Sequence, residues 1–474
     1  MPDVREDVVA LGLDRTLEYG PDHVPALRRA LEALLARLGL VGDRPLAGLV
    51  APGDTVVVKP NLVYDRVSDP RAALTNGWVV RAVCDLVLDA LAGRGRVVIA
   101  DVPLQSARFD AVLRHTGLDR VIGQYRRQGA PVELLDLRQE YLRVDGTRHR
   151  GLERLPGDPL GYCVVNLGAA SELEELGSDR SRFAVGDYDQ DSTAKSHMSS
   201  DRNEYLIPRT ILAANVLINV PKLKTHKKSG ITCALKNLVG ICGHKSYLPH
   251  FREGRPRDGG DEFAIDHAIK TLQRATIERL KKTPAALYGA VRSLGRIVLR
   301  LATLGEPADL RRVMGGSWHG NDTLWRTILD LNKIARYADR DGRLRDTPQR
   351  RYLCIVDGVF SGENDGPILP DLRHDGMLLA GMNPLLVDLV VCLLMGVDPE
   401  GIKQVRRGFE IRRFPLAERP YGYYRAQLRH HVESDVWPLP NFRYRLAAGW
   451  EDHVPRRGSE VVASGGAARA PSPG

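Results

Sequence analysis

The stretch Asn219-Val220-Pro221-Lys222-Leu223-Lys224-Thr225-His226-Lys227-Lys228-Ser229-Gly230-Ile231-Thr232-Cys233-Ala234-Leu235-Lys236-Asn237-Leu238-Val239-Gly240 decides how this chain is read. It is entered by an apolar strand-like run, Val216 to Val220, passes through a loop dense in cations, and continues into a helix-like segment. Charges packed this closely after a buried strand are costly unless something anionic meets them. Lys222 and Lys224 alternate about Leu223, so both point to one side of the chain. Lys227 and Lys228 read as a solvated basic face.

Outward from this segment, strand and helix signals alternate. His23 to Leu40 is an amphipathic helix, and Thr55 to Val58 is a β-branched strand leading into Lys59-Pro60-Asn61. Gly77 to Ala92 reads as a helix, Arg96 to Ala100 as a buried strand ending at Asp101, and Val132 to Leu137 as another strand. Tyr352 to Val356 ends at Asp357, a Gly-rich loop runs from Ser361 to Pro367, Met377 to Ala380 is a strand, and Pro384 to Met395 is an apolar helix. The alternation predicts an α/β fold: a mostly parallel sheet flanked by helices, with a helical insertion. Residues 1–250 and 322–405 form one discontinuous α/β domain carrying the site, 251–321 a basic helical insertion, and 406–455 a mixed C-terminal segment. Residues 456–474, rich in Gly, Ala, Ser and Pro, read as a disordered tail.

The chain has 474 residues and a formal net charge of +9. That balance suits nucleic acid, an anionic membrane or an acidic small molecule. The basic segments lack interleaved aromatics and any helix-turn-helix or zinc-finger signature, which disfavours nucleic acid as partner. Within Ile277 to Leu304, Arg292, Arg296 and Arg300 share one helical face, with Leu287, Val291, Leu294, Val298 and Leu301 on an apolar side. Such a helix either lies on an anionic membrane surface or packs on the main domain or at a dimer contact. No apolar run reaches membrane-spanning length, and Met1 to Asp7 lack a signal-peptide core. The expectation is a cytoplasmic protein, at most peripheral to a membrane. The six cysteines include no Cys-x-x-Cys pair, so no iron–sulfur cluster is expected. Asp187 to Asp191 imitates a calcium loop, but Ser192 and Met198 stand where that loop needs Gly and Glu.

In open parallel sheets, ligands sit beyond the carboxyl ends of the strands. Lys59 and Asn61, the group Lys222, Lys224 and His226, and Asp357 all occupy such ends, with Asp101 placed similarly. Gly230 and Thr232 fall where a helix is expected to start, and free N–H groups with the helix dipole favour an anion there. Lys236 and Asn237 lie about a turn further on. The candidate catalytic residues are therefore His226, Lys224 and Asp357. The candidate substrate-binding residues are Lys59, Asn61, Lys222, Thr225, Gly230, Thr232, Lys236 and Asn237. Neighbouring cations should keep His226 neutral, able to accept a proton or a divalent metal, with His244 and His250 close behind it. Asp388 is either a buried structural acid or a back-wall partner for a lysine. No P-loop, dinucleotide fingerprint or Gly-x-Ser-x-Gly element is present.

Several of these elements together resemble one family. They are Val57-Val58-Lys59-Pro60-Asn61-Leu62, Leu217 through His226, Leu235-Lys236-Asn237-Leu238-Val239-Gly240, Ile355-Val356-Asp357-Gly358, Gly366-Pro367, and the helix from Pro384 through Asp388 to Gly396. Across Thr55 to Pro399 the chain resembles the family called domain of unknown function 362. Many relatives carry ferredoxin-like cysteine clusters that this chain lacks, and Asn215 stands where an acid is common. The spacing of His226, Gly230, Thr232 and Lys236 is also similar to an element of lactate racemase-type proteins, which move hydride at a hydroxy-acid carbon with a nickel-pincer nucleotide attached to a lysine. That similarity implies a hydroxy-acid or sugar-acid substrate and isomerase-like or redox chemistry. The functional expectation is an enzyme acting on a small anionic metabolite.

Overall fold

The structure is a computed structural model describing residues 5–145, 148–177, 180–186, 190–199, 201–266, 268–272, 274, 293–295, 297–298, 300–305 and 313–450. Ten strands form one sheet: β1 (Val9–Leu13), β2 (Thr55–Pro60), β3 (Arg96–Asp101), β4 (Val132–Asp136), β5 (Val216–Val220), β6 (Lys222–His226), β7 (Gly230–Thr232), β8 (Arg351–Asp365), β9 (Leu369–Gly381) and β10 (Val432–Glu433). Their spatial order is β10-β1-β9-β8-β5-β2-β3-β4, with β6 beside β8 and β7 beside β6. The pairs β2–β3, β3–β4, β2–β5, β5–β8, β6–β8 and β1–β10 are parallel. The pairs β1–β9, β8–β9 and β6–β7 are antiparallel. The fold is thus α/β with a mostly parallel sheet.

The central strands are apolar on both faces because helices cover both. Val56, Val58, Val97, Ile99, Val216 and Ile218 pack with Leu27 and Leu31 of the helix Val24–Arg37 and with Val83 and Val87 of the helix Gly77–Leu91. Val57, Val98, Leu217, Cys354 and Val356 face the opposite layer, which holds the helices Leu324–Tyr337 and Pro384–Met395. Residues beyond 405 join this second layer: Tyr424, Tyr444 and Trp450 are buried in it, and β10 extends the sheet edge.

Three local expectations are corrected. The Gly-rich loop from Ser361 to Pro367 is mostly strand, since β8 runs to Asp365 and pairs with β9 from Leu369. Its polar residues find partners there: Ser361 bonds Asp375, and Glu363 accepts from Arg373 at 3.1 Å and Arg445 at 2.9 Å. The cation-rich loop after Val220 is instead β6, with all five of its residues buried. The helix expected from Gly230 begins only at Ala234, and Gly230 to Thr232 is the short strand β7.

Of the helix expected over Ile277 to Leu304, only 293–295, 297–298 and 300–304 lie among the described residues. Residues 187–189 of the calcium-like stretch and the tail 456–474 lie outside them.

Candidate functional site

Three strand ends build the site. β2 carries Lys59 one residue before its end, and the Lys59 ammonium donates to Asp101 of β3 at 2.6 Å and to the Pro60 carbonyl at 3.1 Å. Asp101 also accepts from the Leu62 and Val102 backbone N–H groups at 2.7 and 2.9 Å. Both partners are almost wholly buried. Burial pulls the Lys59 ammonium below its ordinary range, and Asp101 offsets much of that pull. Gly240 lies against this pair: a Cβ there would overlap Asp101 Oδ1 and sit 2.7 Å from Lys59 Nζ.

Asn237 ties β2 to β5. Its Oδ1 accepts from Asn61 at 2.9 Å, and its Nδ2 donates to the Lys59 carbonyl at 3.2 Å and to Asn219 at 2.7 Å. Asn219 in turn donates to the Ala234 carbonyl at 2.8 Å. This network seats the short helix Ala234–Asn237 over the strand ends.

A cavity of about 400 Å³ opens above these residues. Lys59, Asn61, Asp101, His226, Lys227, Lys228, Lys236, Asn237, Lys245 and His250 line its polar part. Val63, Leu104, Leu142 and Val185 line its apolar part. Five lysines therefore face one acid, and that acid is already committed to Lys59. Lys228 reaches the Gly315 carbonyl at 2.5 Å. Among the described residues no acid forms an ion pair with Lys236 or Lys245, although Lys245 feels the charge of Asp101. Burial, then the charges of Lys245, Lys228 and Lys59, bring Lys236 down to about 7. Burial lowers Lys245 to about 8.

The two histidines present opposite faces. His226 Nδ1 accepts from the Lys228 backbone N–H at 3.0 Å, so its proton in the neutral form sits on Nε2. Burial and the charges of Lys236, Lys224 and Lys228 hold it well below its ordinary pKa. His226 is then a hydrogen-bond donor in the cavity, not the base expected from sequence. His250 Nδ1 lies 2.8 Å from the Leu248 carbonyl and must donate to it, which leaves a lone pair on Nε2. Burial and the nearby lysines also keep His250 neutral.

Other candidates lie elsewhere. Lys222 Nζ is 3.2 Å from Asp357 and donates to the Tyr19 hydroxyl at 2.8 Å. Tyr19 donates to Asp357, which also accepts from the Asn76 N–H at 2.9 Å. This closed cluster is buried between strands, and neither Lys222 nor Asp357 lines the cavity. Lys224 donates to the Ala73 and Pro367 carbonyls and is likewise off the cavity wall. Burial and then the charge of Lys222 push its pKa well down. Thr225 donates to the Asn364 carbonyl at 2.8 Å. Gly230 packs under Ile402 and Trp450, and Thr232 is buried in β7. The anion site expected at their helix start is filled from within the protein. Asp388 accepts from the Ala234 and Leu235 N–H groups at 2.7 and 3.2 Å. Burial raises its pKa to about 7.

A divalent metal on His226 does not fit these surroundings. Its charged neighbours are lysines, and no group of three or more His, Cys, Asp or Glu side chains gathers among the described residues. Lys245, His250 and Gln105 are the cavity residues that sequence reasoning underweighted. Lys245 follows the Lys236–Gly240 element by a short loop, a signal that was available. Tyr19 and Gln105 carried none.

The comparisons with known proteins follow this geometry. The chain is 24% identical over 244 residues to the thylakoid-associated protein sll1697 of Synechocystis sp.. That match covers 51% of this chain and 55% of the relative. A crystal structure of a Thermotoga maritima protein aligns over 74% of this chain and 54% of its own, at 10% identity and a TM-score of 0.29. The family model described as "Domain of unknown function (DUF362)" matches residues 56–167 and 156–393, which hold β2 to β9 and the polar wall of the cavity. On that match, the chain belongs to the DUF362 family.

Proposed function

We propose that this protein is an enzyme acting on a small anionic metabolite bound in the lysine-lined cavity. One observation carries the reading: Lys236 and Lys245 face a 400 Å³ cavity in which the one acid is already paired. Cations kept in such a place without acids are expected to meet a carboxylate or phosphate brought by a ligand.

The flanking groups supply proton chemistry. Lys236, at about 7, holds both protonation states near neutral pH. The His250 Nε2 lone pair accepts a hydrogen bond, and His226 Nε2–H donates one. A hydroxy-acid seated on Lys245 would place the hydrogen-bearing carbon beside its carboxylate within this set, and an oxo-acid the hydrogen-bearing carbon beside its ketone. A base then removes that carbon's proton, and the ammonium groups stabilise the enolate charge that develops. Isomerisation or racemisation is the matching reaction class.

The test is calorimetric titration of lactate, pyruvate, glucuronate and pyrophosphate, with NMR detection of deuterium entering the organic acids from heavy water. Binding, and exchange of at least one acid, should disappear in a folded Lys236→Met/Lys245→Met variant. If the wild-type protein binds no anion at millimolar concentration, or the variant binds equally well, the reading is wrong.

A second reading, compatible with the first, concerns a membrane surface. Leu294, Ile297, Val298, Leu301 and Leu304 follow helical spacing and are each 45–68% exposed. Arg300 is exposed among them. An apolar stripe with flanking cations suits an anionic lipid surface, and a relative is named thylakoid-associated. No described helix is long and apolar enough to cross a membrane. Flotation with phosphatidylglycerol vesicles tests this: Leu294→Ser/Leu301→Ser should abolish it, and absence of wild-type flotation removes the idea.

A further inference from the structure

Gln105 has no place in the proton chemistry above, yet it lines the same cavity. Only 4% of it is exposed, and among the described residues neither Oε1 nor Nε2 of its side chain has a hydrogen-bond partner. The residue is held in place: its carbonyl accepts from the Leu142 N–H at 2.9 Å and from Arg138 at 3.1 Å. Val63, Val102, Leu104 and Val144 line the same cavity. A buried primary amide lacking both a donor and an acceptor partner is costly, and native structures rarely leave one without a function.

We infer that the cavity takes a two-part ligand. An anionic group sits on Lys236 and Lys245, and a flat group with a hydrogen-bond donor beside an acceptor pairs with the Gln105 amide. The inference rests on the anion reading and adds the ligand's other end. A carboxamide both gives and accepts one hydrogen bond in a single plane, so its complement is another amide-like edge. Nucleobases carry that edge on a phosphate ester, and N-carbamoyl amino acids carry it beside a carboxylate. The apolar wall suits the flat face of a base, and the volume is in the range of cavities that enclose such ligands.

The experiment is calorimetric titration of ADP, UDP, N-carbamoylaspartate and inorganic pyrophosphate into the full chain. The proteins are the wild type, Gln105→Leu, Gln105→Met and Lys236→Met/Lys245→Met. At least one amide-edged ligand should bind roughly tenfold or more tighter than pyrophosphate, which lacks the edge. Gln105→Leu should erase that preference while pyrophosphate affinity stays within about twofold. ADP or UDP as the preferred ligand identifies the nucleobase source, and N-carbamoylaspartate identifies the carbamoyl source. Gln105→Met serves if the Leu variant does not fold. If pyrophosphate binds but no amide-edged ligand is favoured, or the preference survives in the Gln105 variants, this inference falls and the anion reading stands. If nothing binds the wild-type protein, both fall.

Discussion

Replacing Lys236 by Met should make the empty protein more stable, although Lys236 belongs to the family motif. The ammonium is brought from 10.5 to about 7, first by burial and then by Lys245, Lys228 and Lys59. That displacement corresponds to a penalty of about 5 kcal/mol on the charged form. The side chain is only partly buried, and water at the cavity mouth leaves roughly 2–3 kcal/mol of it. The sign follows from linkage. The folded-state pKa lies below the unfolded one, so between about pH 7 and 10.5 the unfolded chain binds more protons. The penalty is complete below about pH 7 and is relieved as pH rises towards 10.5. Lys236→Met removes it, so the gain should be greatest at pH 6–7 and fade by pH 10. Thermal melts across this range should show the variant melting a few °C higher at pH 6. The same melts with pyrophosphate should show ligand stabilisation of the wild type that the variant loses. A variant less stable than wild type at pH 6, or a difference independent of pH, would refute the reasoning.

Anion binding should take up about one and a half protons at pH 8, where Lys236 is mostly neutral and Lys245 about half so; calorimetry in buffers of different ionisation enthalpy measures this, and the uptake should nearly vanish at pH 6. Gly240→Ala should cost about 3–5 kcal/mol in urea unfolding, because its Cβ forces Lys59 and Asp101 apart inside the core. Asp388→Ala should cost about 2–4 kcal/mol by orphaning the Ala234 and Leu235 N–H groups. Asp388→Asn, which keeps one acceptor, should cost less.

Much of the arrangement was legible before any coordinates. The apolar runs Val56–Val58, Val97–Ile99 and Val216–Ile218 are too continuous for a half-exposed sheet, and they pair in parallel as strands covered on both faces do. Lys59, Asn61 and Asn237 meet through one hydrogen-bonded network at the strand ends, and Lys236 lines the cavity beside them. Lys222 and Asp357 were placed with them on the same rule, yet they pair with each other and with Tyr19. The reason is register. β6 continues beside β8, which puts Lys222 directly opposite Asp357, and register is not visible in either segment alone. Asp388 shows the same limit, because its apolar helix revealed an acid needing partners but not which N–H groups would supply them.

The order of the strands, the lysines and the asparagine–lysine pairs belongs to the sequence, since hydrophobic period and residue type are local properties. Which cations are spent inside the protein and which remain for a ligand is a tertiary property. Lys59 and Lys222 are neutralised by acids 42 and 135 residues away. Lys224 is satisfied by backbone carbonyls, and Lys236 and Lys245 are left facing a cavity. Whether a buried charge is structural or functional depends on the partners that folding brings to it, and those partners come from distant parts of the chain.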